Sequence, residues 1–349
     1  MKRILILCLM VCLCMMVRAQ EAHLSATGVG SAYGVINAVF APTSGDVCET
    51  PDCAHPAFGE HITQVYDNEL GKYVFAFHAH VHYDNDRCQK FDRQRTEIKT
   101  YDQSPSFQKG FYGDRVRYEW LFKLPVGFKP SSNFTHLHQI KAVGGDDDMP
   151  IVTITARKAS PNRIELRHDN EVTVAQANLS KFTGQWVKIV EDIFIDSVHG
   201  SLSMLITKVS DGDTILSYKN GNIKMIRGSN DFIRPKWGIY RSLLDSANLR
   251  DETVYFNDFV VVKDTSTKPE IPVYNENITA GYDKYISVED GKINIFYPKH
   301  AVVEIYDTLG NMLLKTESKE IMTDKFKNKI VIIKLKTKDG VFTYKYLLL

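Results

Sequence analysis

The chain has 349 residues, 44% of them hydrophobic and 24% charged, and a formal net charge of +1. That length accommodates one large domain and one small one. The near-zero charge excludes a global basic field for nucleic acid and an acidic tail, so any affinity for a polyanion has to be local.

The first segment, "MKRILILCLMVCLCMMVRAQ", sets two basic residues ahead of an apolar run from Ile4 to Val17, with a small residue at Ala19. This is the layout of a secretory signal peptide. The run is too short for a comfortable membrane span, and no later segment is apolar enough for one. Cleavage after Ala19 is expected. It would leave Gln20 at the mature end of a soluble protein that is secreted, periplasmic or on the cell surface. Cys8, Cys12 and Cys14 leave with the signal, whereas Cys48, Cys53 and Cys88 remain. An exported protein can hold a disulfide, and "CETPDC" predicts one between Cys48 and Cys53, with Cys88 left over. The cysteine spacing does not suit zinc, and no metal site is expected from it.

From residue 72 onward, alternating segments dominate: "KYVFAFHAHVHY", "RVRYEWLFKLP", "THLHQIKAV", "PIVTITARK", "QWVKIVEDIFI", "KWGIYRS" and "TVYFNDFVVVK". They are rich in Val, Ile, Phe, Tyr and Thr and are broken by Gly, Pro, Asn and Asp. The pattern predicts antiparallel strands in an all-β sandwich or jelly roll over residues 20–265. No long helical period occurs, and short helices are expected near "NLSKF" and "SLLDSANL". The stretch around 266–280 carries the Pro, Thr and Asn of a linker. Alternation resumes over 281–349, which predicts a small C-terminal β-sandwich.

Strand alternation sorts the polar residues by face. In "DRQRTEIKTYD", Arg93, Arg95, Glu97 and Lys99 share a face, and paired arginines can clamp a carboxylate. In "HLHQIK", Leu137, Gln139 and Lys141 point one way and His136, His138 and Ile140 the other. Thr153, Thr155 and Arg157 share a face, as do Arg163, Glu165 and Arg167. In "PKWGIYRS", Lys236, Gly238 and Tyr240 alternate with Trp237, Ile239 and Arg241. Tyr240 can give or take a proton, and Gly238 would let a sugar chain lie close to the backbone. "GGDDD" (Gly144 to Asp148) and "DND" (Asp84 to Asp86) offer hard oxygens that would suit a structural calcium, or else form solvated turns. Glu97, Glu119 and Glu165 are the carboxylates a glycoside hydrolase would use, but spacing marks out no pair.

Three of these segments together, "RTEI" (Arg95 to Ile98), "QIK" (Gln139 to Lys141) and "KWGIYR" (Lys236 to Arg241), resemble in order and type the motifs of jelly-roll polysaccharide lyases. Alginate lyases of that fold carry "R(T/S)EL", "QIH" and "YFKxGxYxQ" strands. Lysine stands here in place of the histidine of "QIH", a combination more like ulvan lyases or glycosaminoglycan lyases of Bacteroidota. The resemblance implies a concanavalin-like β-jelly roll that cuts a uronate polymer by β-elimination. It implies charge neutralisation by Arg95, Arg157 and Gln139 and proton transfer by Tyr240 and Lys141. Arg93, Lys236, His138, Arg167 and Arg241 are then the candidates for gripping flanking anionic sugars. No cofactor is required by that chemistry. A monomer is expected, with no nucleic-acid partner. A non-catalytic sugar-binding jelly roll is the other reading, although a binder usually presents aromatic platforms rather than converging bases. The tail, with "VEIYDTLGNMLLK" and "GVFTYKYLLL", resembles the C-terminal sorting domains of the type IX secretion system of Bacteroidota.

Overall fold

The computed structural model describes residues 20–169, 172–264, 286–289, 291–295, 300–307, 312–326, 329–337 and 340–348. The expected signal peptide (1–19) and linker (266–280) lie outside them. The chain divides into two compact units, Met1–Lys268 and Pro269–Leu349.

The first unit is a β-jelly-roll sandwich of two antiparallel sheets. The eight-stranded sheet runs Thr214–Asn220, Ser201–Lys208, Val187–Phe194, Arg115–Lys123, Glu252–Asp264, Lys72–Ala79, Ile62–Asp67, and Gln20–Leu24 also pairs with Glu252–Asp264. The seven-stranded sheet runs Val172–Asn178, Arg163–His168, Val152–Arg157, Thr135–Val143, Phe232–Ser242, Arg93–Lys99, Cys48–Glu49. Its order places the Phe232–Ser242 strand between two strands from much earlier in the chain, so the three motif segments become neighbours.

The alternation that predicts the strands also builds the core. Arg115–Lys123 turns Val116, Tyr118, Trp120 and Phe122 inward. From the other sheet Ile98, Ile154, Trp237 and Ile239 meet them. Each such side chain, once fully buried, contributes roughly 1.5–3 kcal/mol. One nine-residue helix, Ala32–Phe40, forms where no long helical period is predicted. Ser31 caps it, its hydroxyl accepting from the Gly34 N–H at 3.1 Å, as caps do. Ala32, Ile36 and Phe40, four apart, give it a single buried face, and Phe40 stacks on Trp237. Single 3₁₀ turns, Leu179–Lys181 and Ser246–Asn248, stand where short helices are expected.

The disulfide corrects the expected pairing: Cys53 joins Cys88, with Cα atoms 6.3 Å apart, and Cys48 is free. Cys48 is held in the sheet opposite Ile98, away from the turn that carries Cys53. Burial pushes its thiol pKa up, which keeps it protonated and unreactive.

The second unit has a core of its own, built from Ile286, Ile293, Val303, Ile305, Val331, Ile333 and Leu335. A three-stranded sheet (Ile286–Glu289, Lys292–Ile295, Glu320–Met322) and a four-stranded sheet (Met312–Thr316, Ala301–Tyr306, Lys329–Thr337, Gly340–Leu348) make it up.

Candidate active site

The candidate site is the polar face of the seven-stranded sheet. Register sets which side chains share it: Tyr240 lies opposite Arg95, Gly238 opposite Glu97 and Lys236 opposite Lys99 on one side. On the other side Lys236 lies opposite Gln139 and Arg234 opposite Lys141. A fully buried carboxylate, Glu97, organises the middle of this face. Arg95 Nη1 donates to it at 2.6 Å, Gln139 Nε2 at 2.6 Å, and Lys236 Nζ lies 2.7 Å away. Burial alone would push the Glu97 pKa up, but Lys236 and Arg95 outweigh it and hold the pKa below the usual carboxylate range. Glu49 joins from the neighbouring strand, paired with Lys236, with Lys99 at 2.9 Å and with Arg95 at 3.4 Å. A second carboxylate, Glu165, gathers Arg163, Arg167 and Arg157 at 2.7, 2.9 and 3.6 Å.

Tyr240 stands at one end of the Glu97 network and is the one half-buried side chain in an otherwise buried strand. The Arg95 guanidinium lies over its ring, 3.7 Å from the centroid. Arg93 Nη1 donates to its hydroxyl at 3.1 Å. Because the hydroxyl accepts from Arg93, its own proton remains available to a substrate oxygen.

His136 sits beside Tyr240, with the ring centroids 6.0 Å apart. Strict alternation would put it in the core with His138. The structure instead breaks the alternation at Leu137: His136 pairs with Tyr240 and Thr155, whereas His138 pairs with Trp237 and Ile154. Such a bulge re-aims one side chain without ending the strand. Gly238 is the matching irregularity on the neighbouring strand. Its φ is +145°, and a Cβ there would lie 2.1 Å from the Thr96 carbonyl oxygen. The glycine therefore serves strand-to-strand approach, not room for sugar as expected. Burial, together with Arg157, Arg95 and Arg167, pulls the His136 pKa down to about 3 against the opposing pull of Glu97. The ring is neutral at neutral pH, and its Nδ1 has no protein partner.

The remaining predicted residues fall in three places. Arg93, Arg95, Arg157, Arg167 and Gln139 share the face with Tyr240, and each already meets a carboxylate: Arg95 and Gln139 meet Glu97, Arg157 and Arg167 meet Glu165, and Arg93 meets Asp92. Lys141 shares it too, but opposite Arg234, six residues from Tyr240 or roughly 20 Å at the strand rise. Its ammonium donates to the Asp147 and Asp148 carbonyls at 2.5 and 2.7 Å. Burial pulls its pKa down to about 8. It cannot exchange protons at the same bond as Tyr240, which corrects the expected pairing of the two. Three sugar-gripping candidates are also corrected. Lys236 is buried between Glu49 and Glu97. His138 is in the core, its Nε2 2.9 Å from Glu191 of the opposite sheet. Arg241 is fully buried, donating to Gln94 and to the Arg250 carbonyl. Of the oxygens proposed for calcium, Asp84 faces histidines and Asp86 holds Arg95 and Arg87.

The hydrolase reading loses its carboxylates. Glu97 and Glu165 are each bound by three cations or amides, and Glu119 belongs to the other sheet, between Arg117 and Lys188. Two carboxyls facing each other across a bond, as hydrolysis needs, do not arise from this set.

The polar face of the seven-stranded sheet thus gathers arginines around a tyrosine and a neutral histidine on a jelly roll. The polysaccharide lyase family matches residues 59–260, and the chain belongs to that family. No protein of curated function matches it. Among solved structures it is similar to an endo-β-1,4-glucuronan lyase from the fungus Trichoderma reesei, 16% identical over 58% of this chain and 86% of that one, with a TM-score of 0.41. It is also similar to a family 7 alginate lyase solved with its substrate (15% identical, 62% and 91% covered, TM-score 0.42) and to an alginate lyase from Pseudomonas aeruginosa (14% identical, 57% and 84% covered, TM-score 0.39).

Proposed function

We propose that the protein is an exported, endo-acting lyase that cuts a uronate-containing polysaccharide by β-elimination, with His136 and Tyr240 carrying the protons. The observation that carries this reading is the neutral His136 beside a tyrosine hydroxyl within a group of arginines. In β-elimination a base removes the C5 proton, the C4–O4 bond breaks, the electron pair becomes a C4–C5 double bond, and an acid protonates O4. The neutral imidazole of His136 is the proton acceptor. Tyr240 is the donor, because its oxygen already accepts from Arg93. Arg157 and Arg93, both partly exposed, neutralise the C6 carboxylate, whose charge would otherwise oppose loss of the neighbouring proton. Arg95 and Gln139 act behind them by fixing Tyr240 and the Glu97 network. Lys141, half-buried at the far end of the face, holds charge further along the polymer.

A glycosaminoglycan such as hyaluronan, chondroitin sulfate or dermatan sulfate is the first substrate we infer. Lysine at position 141, where the alginate-lyase motif has histidine, argues against alginate. Ulvan is the alternative. Export is supported by the layout of residues 1–19 and by the Cys53–Cys88 disulfide, a bond that persists in oxidising compartments. The tail, by its resemblance, would be a sorting domain. The test is ultraviolet absorbance during incubation with hyaluronan, chondroitin sulfate, dermatan sulfate, heparin, ulvan and alginate. A rise with one polymer reports the conjugated double bond and names the substrate. New reducing ends without absorbance would replace elimination with hydrolysis, and binding without either would leave a sugar-binding module.

A further inference from the structure

A second cluster of chemistry-bearing side chains lies outside the Tyr240 site and takes no part in the elimination. His55, His61, His80 and Asp84 each place one ligand atom within 4.8 Å of all the others. Asp84 Oδ1 is 3.1 Å from His55 Nδ1 and 3.1 Å from His61 Nε2, and its Oδ2 is 3.1 Å from His80 Nδ1. Ligands of tetrahedral zinc at about 2.0–2.2 Å stand roughly 3.3–3.5 Å from one another. The contacts around Asp84 are already close to that spacing.

Two further observations point to a cation. Asp52 Oδ1 lies 2.7 Å from His61 Nδ1, the carboxylate–histidine arrangement that orients an imidazole toward a metal. The surroundings are apolar: Phe58 packs at 4.3 Å from His80 and 4.8 Å from His61, and Tyr83 stacks on His55 at 4.7 Å. His78, although next to this group, is not part of it, because its nitrogens meet Thr63 and Thr253.

We propose that His55, His61, His80 and Asp84 bind one zinc ion. Three imidazoles and a carboxylate match its preference for nitrogen and oxygen ligands, and four protein ligands close the tetrahedron. A closed site is structural, and its place in the fold says what it holds. The ligands come from two segments, 50–61 and 80–92, which the Cys53–Cys88 disulfide also ties together. Two residues beyond Asp84, Asp86 accepts from Arg95 Nε at 2.9 Å and Nη2 at 3.1 Å. The zinc would thus pin the turn that holds Arg95 under the Tyr240 ring.

The test uses the untagged full chain, stripped with EDTA, loaded with zinc chloride, desalted and assayed for metals by mass spectrometry. Metal content does not depend on lyase turnover, so it separates this inference from the proposed reaction. About one zinc per chain is expected, with a thermal midpoint that rises with zinc concentration and falls on chelation. Cobalt in its place should give the visible band of a tetrahedral site. Asp52→Asn should weaken zinc binding about 10–100-fold through the loss of orientation, and His55→Gln by more, with the circular dichroism spectrum of each unchanged. Less than about a tenth of a zinc per folded chain, calcium in its place, or affinity unaltered in His55→Gln would overturn the proposal.

Discussion

The two sheets of the jelly roll use the same charged residue types in opposite ways. On the eight-stranded sheet, Glu119 lies between Arg117 and Lys188 at 2.7 Å from each, with both cations nearly half exposed. On the seven-stranded sheet, Glu97 lies between Arg95 and Lys236 at similar distances, and all three are buried. The first arrangement is a solvated surface, worth about 0–1 kcal/mol per pair. The second carries a desolvation cost of several kcal/mol per ion, which pairing only partly offsets. Buried charge is therefore poor evidence for stability and better evidence for a working surface. The difference between Glu119 and Glu97 lies in where their charges are kept.

The largest expected effect breaks the comparison at one atom. Tyr240→Phe removes the hydroxyl and its bond from Arg93 while leaving the ring under Arg95. We expect kcat on the responsive polymer to fall by about 10²–10⁴, the usual worth of a positioned proton donor, with the unfolding midpoint nearly unchanged. Lys188→Ala on the other sheet should leave kcat as it was. If Tyr240→Phe turns over at the normal rate, Tyr240 is not the proton donor.

The next effect is on stability and sharpens the same contrast. Glu97→Ala leaves Arg95 and Lys236 buried with one counter-ion fewer, and should cost about 3–5 kcal/mol. Glu119→Ala, with the same two partner types at the surface, should cost less than about 1 kcal/mol. Urea unfolding of both variants, compared at equal m-value, measures the difference. Equal losses would mean that the two carboxylates are energetically alike.

The fold was legible because sheet burial writes itself into period-2 alternation, and each of the three motif segments lies on a strand. Arg93, Arg95 and Tyr240 were assigned to one face correctly for that reason. The same rule failed at His136, where one bulge residue, Leu137, shifts everything before it by one position. The signal available is Gly238, a glycine inside a strand, which often marks a bulge rather than room for sugar. Lys236 and Gln139 were legible as face residues but not as buried ones, because burial depends on Glu49, a residue from a distant two-residue strand. The zinc candidates are spread over thirty positions with no repeating spacing. They meet only because the Ile62–Asp67 and Lys72–Ala79 strands pair as a hairpin and a disulfide closes the loops beyond it.

The smallest expected effect is a displacement of pH dependence, and it follows from where the charges sit. His136 is kept neutral by burial and by arginines, so the free enzyme should show no inflection at the ordinary histidine value near 6.5. Its acid limb in kcat/KM, which reports the free enzyme, should lie well below pH 5, toward the value of about 3 set by burial and by Arg157, Arg95 and Arg167. A bound uronate adds negative charge beside those arginines and offsets them, which favours the protonated imidazole. The acid limb in kcat, which reports the complex, should therefore stand at higher pH than the limb in kcat/KM. For stability the sign follows from the depressed folded value: between about pH 3 and 6.5 the unfolded chain binds the extra proton, so this residue lowers stability as pH falls through that window. His136→Gln should flatten the stability profile there. Superimposed acid limbs in kcat and kcat/KM would mean that the proton acceptor is a group other than His136.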